Sequence, residues 1–451
     1  MNEYKRNEFK RRVTGAERSM LMIPFNVIMV ASIRGNIDAE RLSSVLSMMR
    51  KRHALLAARI VMDEDDVAWF VTEGVPEIHL EVVPRENENQ CIEKSEAEFN
   101  ISFPLEKGPL ARFTLLHSPD VSELIICAHH AVCDGISLTY LIRDILQHLG
   151  EPDSKLEILP DPPLINHNTV VSPPPIKPVQ RKILKLMNRK WEKKNIRFDH
   201  HDMTRLHDVF WQQNVDRKLL TWILSEEMTK ALVSRSREEK VTVNTALWTA
   251  FLAAQYEVQS PLKSYHQRSG MAVNTRDKLL VPVGECFGFY ASSLTVQLKY
   301  TPRKNFWGNA KEIHHRIRTE LEKTELFRML IADLITPSLL DSLYFSKYGL
   351  IKSRISNILL KMMNFNKVSY GYSITNVGRM NIPSVYGKLR LDSVYGPAVY
   401  SDVNEKLIGV ITIGGRISFM MTYNKNNVSE EKAELIRDAV VNHLSNAIGI
   451  M

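Results

Sequence analysis

A chain of 451 residues, 44% hydrophobic and 24% charged, is long enough for two domains of ordinary size and apolar enough to fill their cores. Its longest apolar runs, such as VIMVA at Val27 to Ala31, are strand-sized, which excludes a membrane-spanning helix. The net charge of +8 favours negatively charged partners (nucleic acid, anionic lipid, an acidic carrier protein, the phosphates of coenzyme A) without choosing among them.

The polar, basic start MNEYKRNEFKRR has no apolar core behind it and does not read as a secretory signal, so a cytoplasmic location is expected. NVIMVASI, Asn26 to Ile33, reads as a strand that turns at Gly35-Asn36. Asp38 then caps a helix whose Leu42, Val45, Leu46 and Met49 form one buried stripe, ending near RKRHALL. After Gly108-Pro109, ELIICA, Glu123 to Ala128, reads as a buried strand. Leu138, Leu141, Ile142, Ile145, Leu146 and Leu149 keep helical spacing up to Gly150, read as the C-terminal cap.

Prolines at Leu159 to Leu164 and Pro173 to Pro178 mark a lobe boundary. The basic run RKILKLMNRKWEKKNIR, Arg181 to Arg197, reads as a helix with a solvated basic face in preference to a membrane-surface or nucleic-acid helix. A peripheral membrane contact stays open and a nucleic-acid partner is not expected. Ser225 caps a further helix, VNTALWTAFLAAQYE is a buried one, and LIGVITIGGRISFMMTYN is a hairpin turning at Gly414-Gly415. Ser429 opens a final amphipathic helix. Strands and helices alternate in both halves, which indicates an α/β sandwich.

The stretch AHHAVCDGISL, Ala128 to Leu138, is thus a strand-to-helix connection. Side chains alternate in direction at a strand end, so His129 and His130 should point to opposite sides and cannot easily share a metal with Asp134. No metal site is expected. Cys91, Cys127, Cys133 and Cys286 lack a CxxC pair and read as reduced packing residues, Cys133 included. One neutral imidazole remains: it can take a proton from an alcohol or amine that attacks an activated carbonyl. Gly135 lets a substrate carbonyl or the chain itself approach the backbone. Asp134 can accept from the base or pair with a distant arginine.

HHAVCDG, His129 to Gly135, resembles the HHxxxDG signature of the condensation-type acyltransferase superfamily. RHALLAARI at Arg52 to Ile60, GPLARF at Gly108 to Phe113, VNTRD at Val273 to Asp277, FGFYASSL at Phe287 to Leu294 and ITNVGR at Ile374 to Arg379 resemble further segments of that family. The resemblance runs from about Thr14 to Ala447. It implies two chloramphenicol-acetyltransferase-like lobes forming a V, each a two-layer α/β sandwich, with an active-site tunnel between them. The N-terminal lobe would span 1–165, a proline-rich and basic linker 166–195, and the C-terminal lobe 196–451.

On this pattern His130 matches the catalytic histidine, His129 a supporting one, and Asp134 a structural residue paired with Arg276. Asn376, with Ser373 and Thr375 as rivals, lies in the segment resembling the tunnel-closing strand and is a candidate oxyanion or substrate contact. The layout most resembles standalone bacterial O-acyltransferases of the phthiocerol dimycocerosyl transferase type, working as monomers. The implied activity is transfer of an acyl group from acyl-coenzyme A or an acyl carrier protein to an alcohol or amine, in lipid or secondary-metabolite biosynthesis, with no tightly bound cofactor. A freestanding peptide-forming condensation enzyme is the alternative, and a non-catalytic carrier- or lipid-binding module the second. HHD, His200 to Asp202, lacks the following glycine and reads as surface.

Overall fold

The computed structural model describes residues 8–323, 326–363 and 368–450. In chain order the first half comprises β1 (Lys10–Arg12), α1 (Gly15–Leu21), β2 (Asn26–Arg34), α2 (Ala39–Arg52), β3 (Arg59–Met62), β4 (Ala68–Val71), β5 (Leu80–Pro84), α3 (Gln90–Glu98), β6 (Ala111–His117), β7 (Val121–His129) and α4 (Gly135–Gly150). After the proline-rich stretch come α5 (Pro178–Glu192), α6 (His200–Gln213), β8 (Arg217–Leu224), α7 (Glu226–Glu238), α8 (Val243–Gln259), β9 (Arg268–Asn274), β10 (Ala291–Gln297) and α9 (Phe306–Lys323). The chain continues with α10 (Pro337–Lys347), α11 (Arg354–Met363), β11 (Tyr370–Arg379), β12 (Val385–Tyr386), β13 (Leu389–Val399), β14 (Asn404–Ile413), β15 (Arg416–Asn424) and α12 (Glu430–Ile448).

Two mixed sheets form the centres of two α/β lobes, in the orders β12-β13-β2-β7-β6-β5 and β10-β9-β11-β14-β15-β8, and β1-β4-β3 make a small third sheet. The branched residues of β2 and β7 explain the first sheet's middle: both strands are buried on both faces. Local caps delimit the helices as their sequences require. The Asp38 carboxylate accepts from the Glu40 and Arg41 N–H groups, and the hydroxyls of Ser225 and Ser429 accept from the Met228 and Lys432 N–H groups. The apolar run of α8 is buried from Thr245 to Gln255, so all its faces are covered.

Two features depart from the local reading. Residues 385–399, expected within the second lobe, are strands of the first sheet, where β13 pairs antiparallel with β2. A hydrophobic strand pairs with whichever edge the fold presents, and no local pattern records that choice. Gly150 is the last residue of α4, with Glu151 as the cap. Its lack of a side chain answers a different need: a Cβ there would lie 2.2 Å from the Tyr386 carbonyl oxygen.

The segment expected as linker, 166–195, carries α5. Asn188 and Trp191 fix this helix to the start of α10: Asn188 Nδ2 donates to the Leu334 carbonyl at 2.8 Å, and Trp191 Nε1 donates to Ser338 Oγ at 3.0 Å. All four cysteines are buried, and no disulfide joins them among the described residues.

Candidate active site

β7 delivers the two histidines to the end of the first sheet, and they diverge as a strand requires. His129 pairs with Asn26 in register and is 1% exposed, its ring edge-on to Phe103. Its Nδ1 accepts from the Ala131 N–H at 3.2 Å, while Nε2 is buried without a partner among the described residues. Burial, reinforced by nearby His207, pushes its pKa down to about 3, so it is neutral.

His130 turns the other way, into a cavity of about 380 Å³ between the lobes. Its backbone N–H donates to the Phe25 carbonyl at 2.7 Å, and its ring lies stacked on Phe25 and edge-on to Phe289. Nδ1 sits 2.8 Å from the Cys133 carbonyl oxygen. A carbonyl only accepts, so Nδ1 carries the proton and Nε2 is left as the basic nitrogen. Burial lowers the pKa below the ordinary histidine value, against the opposing pull of the Cys133 carbonyl and the Asp134 carboxylate.

Asp134 ends the turn and caps α4, accepting from the Ser137 N–H at 2.8 Å. Arg276, from the loop after β9, grips the same carboxylate with both Nη atoms at 2.8 and 3.0 Å, and the Tyr290 N–H adds a bond of 3.0 Å. Burial alone would raise the carboxyl pKa, but the Arg276 charge and these hydrogen bonds outweigh it and hold it below the ordinary value. Arg276 also donates to Ser137 Oγ at 2.7 Å, and that hydroxyl donates to the Gly288 carbonyl at 2.9 Å. The carboxylate therefore joins the first lobe's loop to the second lobe.

At Gly135 it is the chain itself that comes close: a Cβ would lie 2.8 Å from Pro397 Cγ and 2.9 Å from Val377 Cγ2. Cys133 is buried, with its thiol pKa pushed far up by desolvation, so it stays a protonated thiol and no nucleophile.

Asn376 and Ser373, both on β11, line the cavity with Thr375. Asn376 Nδ2 donates to Asn244 Oδ1 at 3.1 Å and its Oδ1 accepts from the Gly378 N–H at 2.8 Å, holding the bulge in β11. Ser373 Oγ is committed to Asn404 Oδ1.

The roles of Phe25, Phe289 and Asn244 lie outside the sequence reading. Phe289 sits within FGFYASSL, which was the available signal. The RHALL segment is explained as well: Arg52 Nε donates to Asp144 Oδ2 of α4 at 2.7 Å, with His53 Nε2 3.1 Å from the same oxygen. His200 and Asp202 sit at the start of α6, where His200 pairs with Glu106. Among the described residues no group of His, Cys, Asp or Glu is arranged to hold a metal, and no helix is long and apolar enough to cross a membrane.

Two α/β lobes with a histidine loop on the wall of the cavity between them form the two-lobed chloramphenicol-acetyltransferase-like fold. Residues 22–334 match the Condensation domain family, well over half of the chain, and the chain belongs to that family. It is 30% identical over 122 residues to a plipastatin synthase polypeptide and 28% identical over 122 residues to surfactin synthase subunit 1, both of Bacillus subtilis (strain 168). Each match takes in 27% of this chain but only 5% and 3% of those synthases, so the chain spans a small part of these relatives.

Whole-chain similarity exists to solved structures. Polyketide synthase associated protein 5 from Mycobacterium tuberculosis aligns with a TM-score of 0.60 at 14% identity, covering 97% of this chain and 98% of that one. TRI3 trichothecene 15-O-acetyltransferase from Fusarium sporotrichioides aligns with a TM-score of 0.65 at 13% identity, covering 98% and 96%. These establish a shared fold.

Two stability predictions follow from the geometry. Removing Arg276 leaves a buried carboxylate uncompensated, so Arg276→Met should destabilise the protein by about 3 to 5 kcal/mol. In chemical denaturation the double variant D134N/R276M should lose less than the sum of the two single variants. Separately, His129 and His207 are held neutral, with pKa values pushed down to about 3 and about 4 by burial. A histidine depressed on folding contributes its full stability above the unfolded value of about 6.5 and loses it as pH falls towards the folded value. With a slope that rises to about 1.4 kcal/mol per pH unit each below the unfolded value, the pair should cost about 3 kcal/mol between pH 6.5 and pH 5, read as a shift in urea midpoint.

Proposed function

We propose that this protein moves an acyl group from a thioester, carried by coenzyme A or by the phosphopantetheine arm of an acyl carrier protein, to an alcohol or amine. The observation that carries the reading is His130: a neutral imidazole on the cavity wall, proton fixed on Nδ1 by the Cys133 carbonyl and Nε2 left to accept. Nε2 takes the acceptor's proton as its oxygen or nitrogen attacks the thioester carbon. The tetrahedral oxyanion then collapses, the carbon–sulfur bond breaks, and the leaving thiolate recovers that proton from His130. No tightly bound cofactor is required.

Asn376, whose second amide N–H is uncommitted among the described residues, supplies a hydrogen bond to the oxyanion in this scheme. Ser373, tied to Asn404, positions β11. Arg276 and Asp134 hold the loop. One chain furnishes both walls of the cavity, which suits a monomer.

A structural neighbour described as a 15-O-acetyltransferase supports transfer to an alcohol. The family match and the peptide synthases favour a second reading, amide formation between carrier-bound substrates. Incubation with acyl-coenzyme A or acyl-carrier protein and a panel of alcohols and amines separates the two. Thiol release with free alcohols or amines supports the first, and release only with carrier-bound aminoacyl acceptors supports the second.

His130→Ala should lose about 10² to 10⁴ in rate while still folding. Thiol release unchanged in that variant would leave a non-catalytic binding module. Because burial lowers the His130 pKa, the wild-type kcat/KM should stay level around neutral pH and fall only below about 6.5, where the base becomes protonated. Asn376→Ala should lower kcat by about 10² with a smaller change in KM.

A further inference from the structure

The basic helix α5 carries two apolar seams. Leu184, Met187 and Trp191 face the body, and Met187 and Trp191 are buried. A second set, Val179, Ile183 and Leu186, falls at i, i+4 and i+7 and is left in the open, 68%, 43% and 53% exposed. Lys182, Lys185, Arg189 and Lys193 run along the flank of this outer stripe at i, i+3, i+7 and i+11, and all four are exposed. Arg181, Lys190 and Lys194 are exposed too. Among the described residues none of these seven cations pairs with a carboxylate, and the one acid of the helix, Glu192, accepts from Thr336 Oγ at 3.0 Å.

A helix that merely solvates its charges has no use for three aliphatic side chains along its crest. Apolar residues in line, edged by unpaired cations, match the layered chemistry of an anionic bilayer surface, where acyl chains lie beneath negatively charged headgroups. The mounting of α5 points the same way. The helix is pinned to the segment 334–338 that opens α10, and α10 contributes Tyr344 and Lys347 to the cavity wall. α11, packed on α10, adds exposed Ile358 and Met362 beside Arg354 and Lys361.

We propose that α5 is a peripheral docking element for anionic membrane surfaces, with Val179, Ile183 and Leu186 entering the interface and the flanking lysines and arginines binding headgroup phosphates. It brings the cavity-bearing body against the bilayer. The proposal is independent of the transfer reaction and its test does not use that reaction.

The test is co-sedimentation of the full chain with vesicles of phosphatidylcholine alone and of phosphatidylcholine mixed with phosphatidylglycerol. Wild type should pellet with the anionic vesicles and not with the zwitterionic ones. K182Q/K185Q should weaken binding about 30-fold. I183N/L186N should weaken it about tenfold or more, including at salt high enough to screen charge. All four positions are exposed, so circular dichroism and melting temperature should not change. Failure to bind anionic vesicles overturns the proposal, as does binding that both double variants retain. Binding that salt abolishes and I183N/L186N leaves intact is attraction to the overall charge of +8 and also overturns it. Capture of an acidic acyl carrier protein through α5, with no vesicle binding, assigns the surface to a protein partner and overturns it equally.

Discussion

The carboxylate of Asp134 receives hydrogen bonds from the first turn of its own helix, from a guanidinium of the loop after β9, and from the backbone of Tyr290. Those donors come from segments more than a hundred residues apart, so neither lobe alone can satisfy a charge buried this deeply. The charge is tolerable only when the lobes are docked, and docking in turn sets the loop that carries His130. A second clasp works in parallel farther along α4, where both Nη atoms of Arg143 meet the Glu285 carboxylate at 2.6 Å. The neighbouring Asp144 anchors Arg52 and His53, so the end of α2 is bound into the same frame.

Within that frame two adjacent imidazoles have separate fates. His129 faces the packed interior, where no counter-charge among the described residues offsets desolvation, and it is a neutral spacer. His130 sits between two phenyl rings with one nitrogen bound to a carbonyl and the ring on a cavity wall. Burial keeps it unprotonated near neutrality, and the backbone carbonyl chooses which nitrogen is basic. Packing and one backbone hydrogen bond set this imidazole's tautomer, and among the described residues no carboxylate is bonded to the ring.

The second half of the chain does more than line the cavity. Val377 and Pro397 rest on Gly135, so the bulged part of β11 and the end of β13 bear directly on the start of α4. Because β13 also pairs with β2, the second half of the chain holds the first sheet from its edge and the histidine loop from above. α5, pinned across the opening of α10, connects the outer surface to the same cavity wall.

Much of this was legible in the residues. Apolar runs, caps at Asp38, Ser225 and Ser429, and the Gly414-Gly415 turn are local, and local chemistry decides them. Alternation along β7 separates His129 from His130 for the same reason. The resemblance of HHAVCDG and VNTRD to family motifs pointed to Asp134 and Arg276, but their bidentate geometry and the share taken by the Tyr290 N–H needed coordinates. Pairing of β13 with β2, the phenyl rings around His130, the partner of Asn376 and the outward seam of α5 belonged to tertiary structure alone. Each depends on which surfaces meet across long stretches of chain, and periodicity within a segment carries no information about the segment it will face.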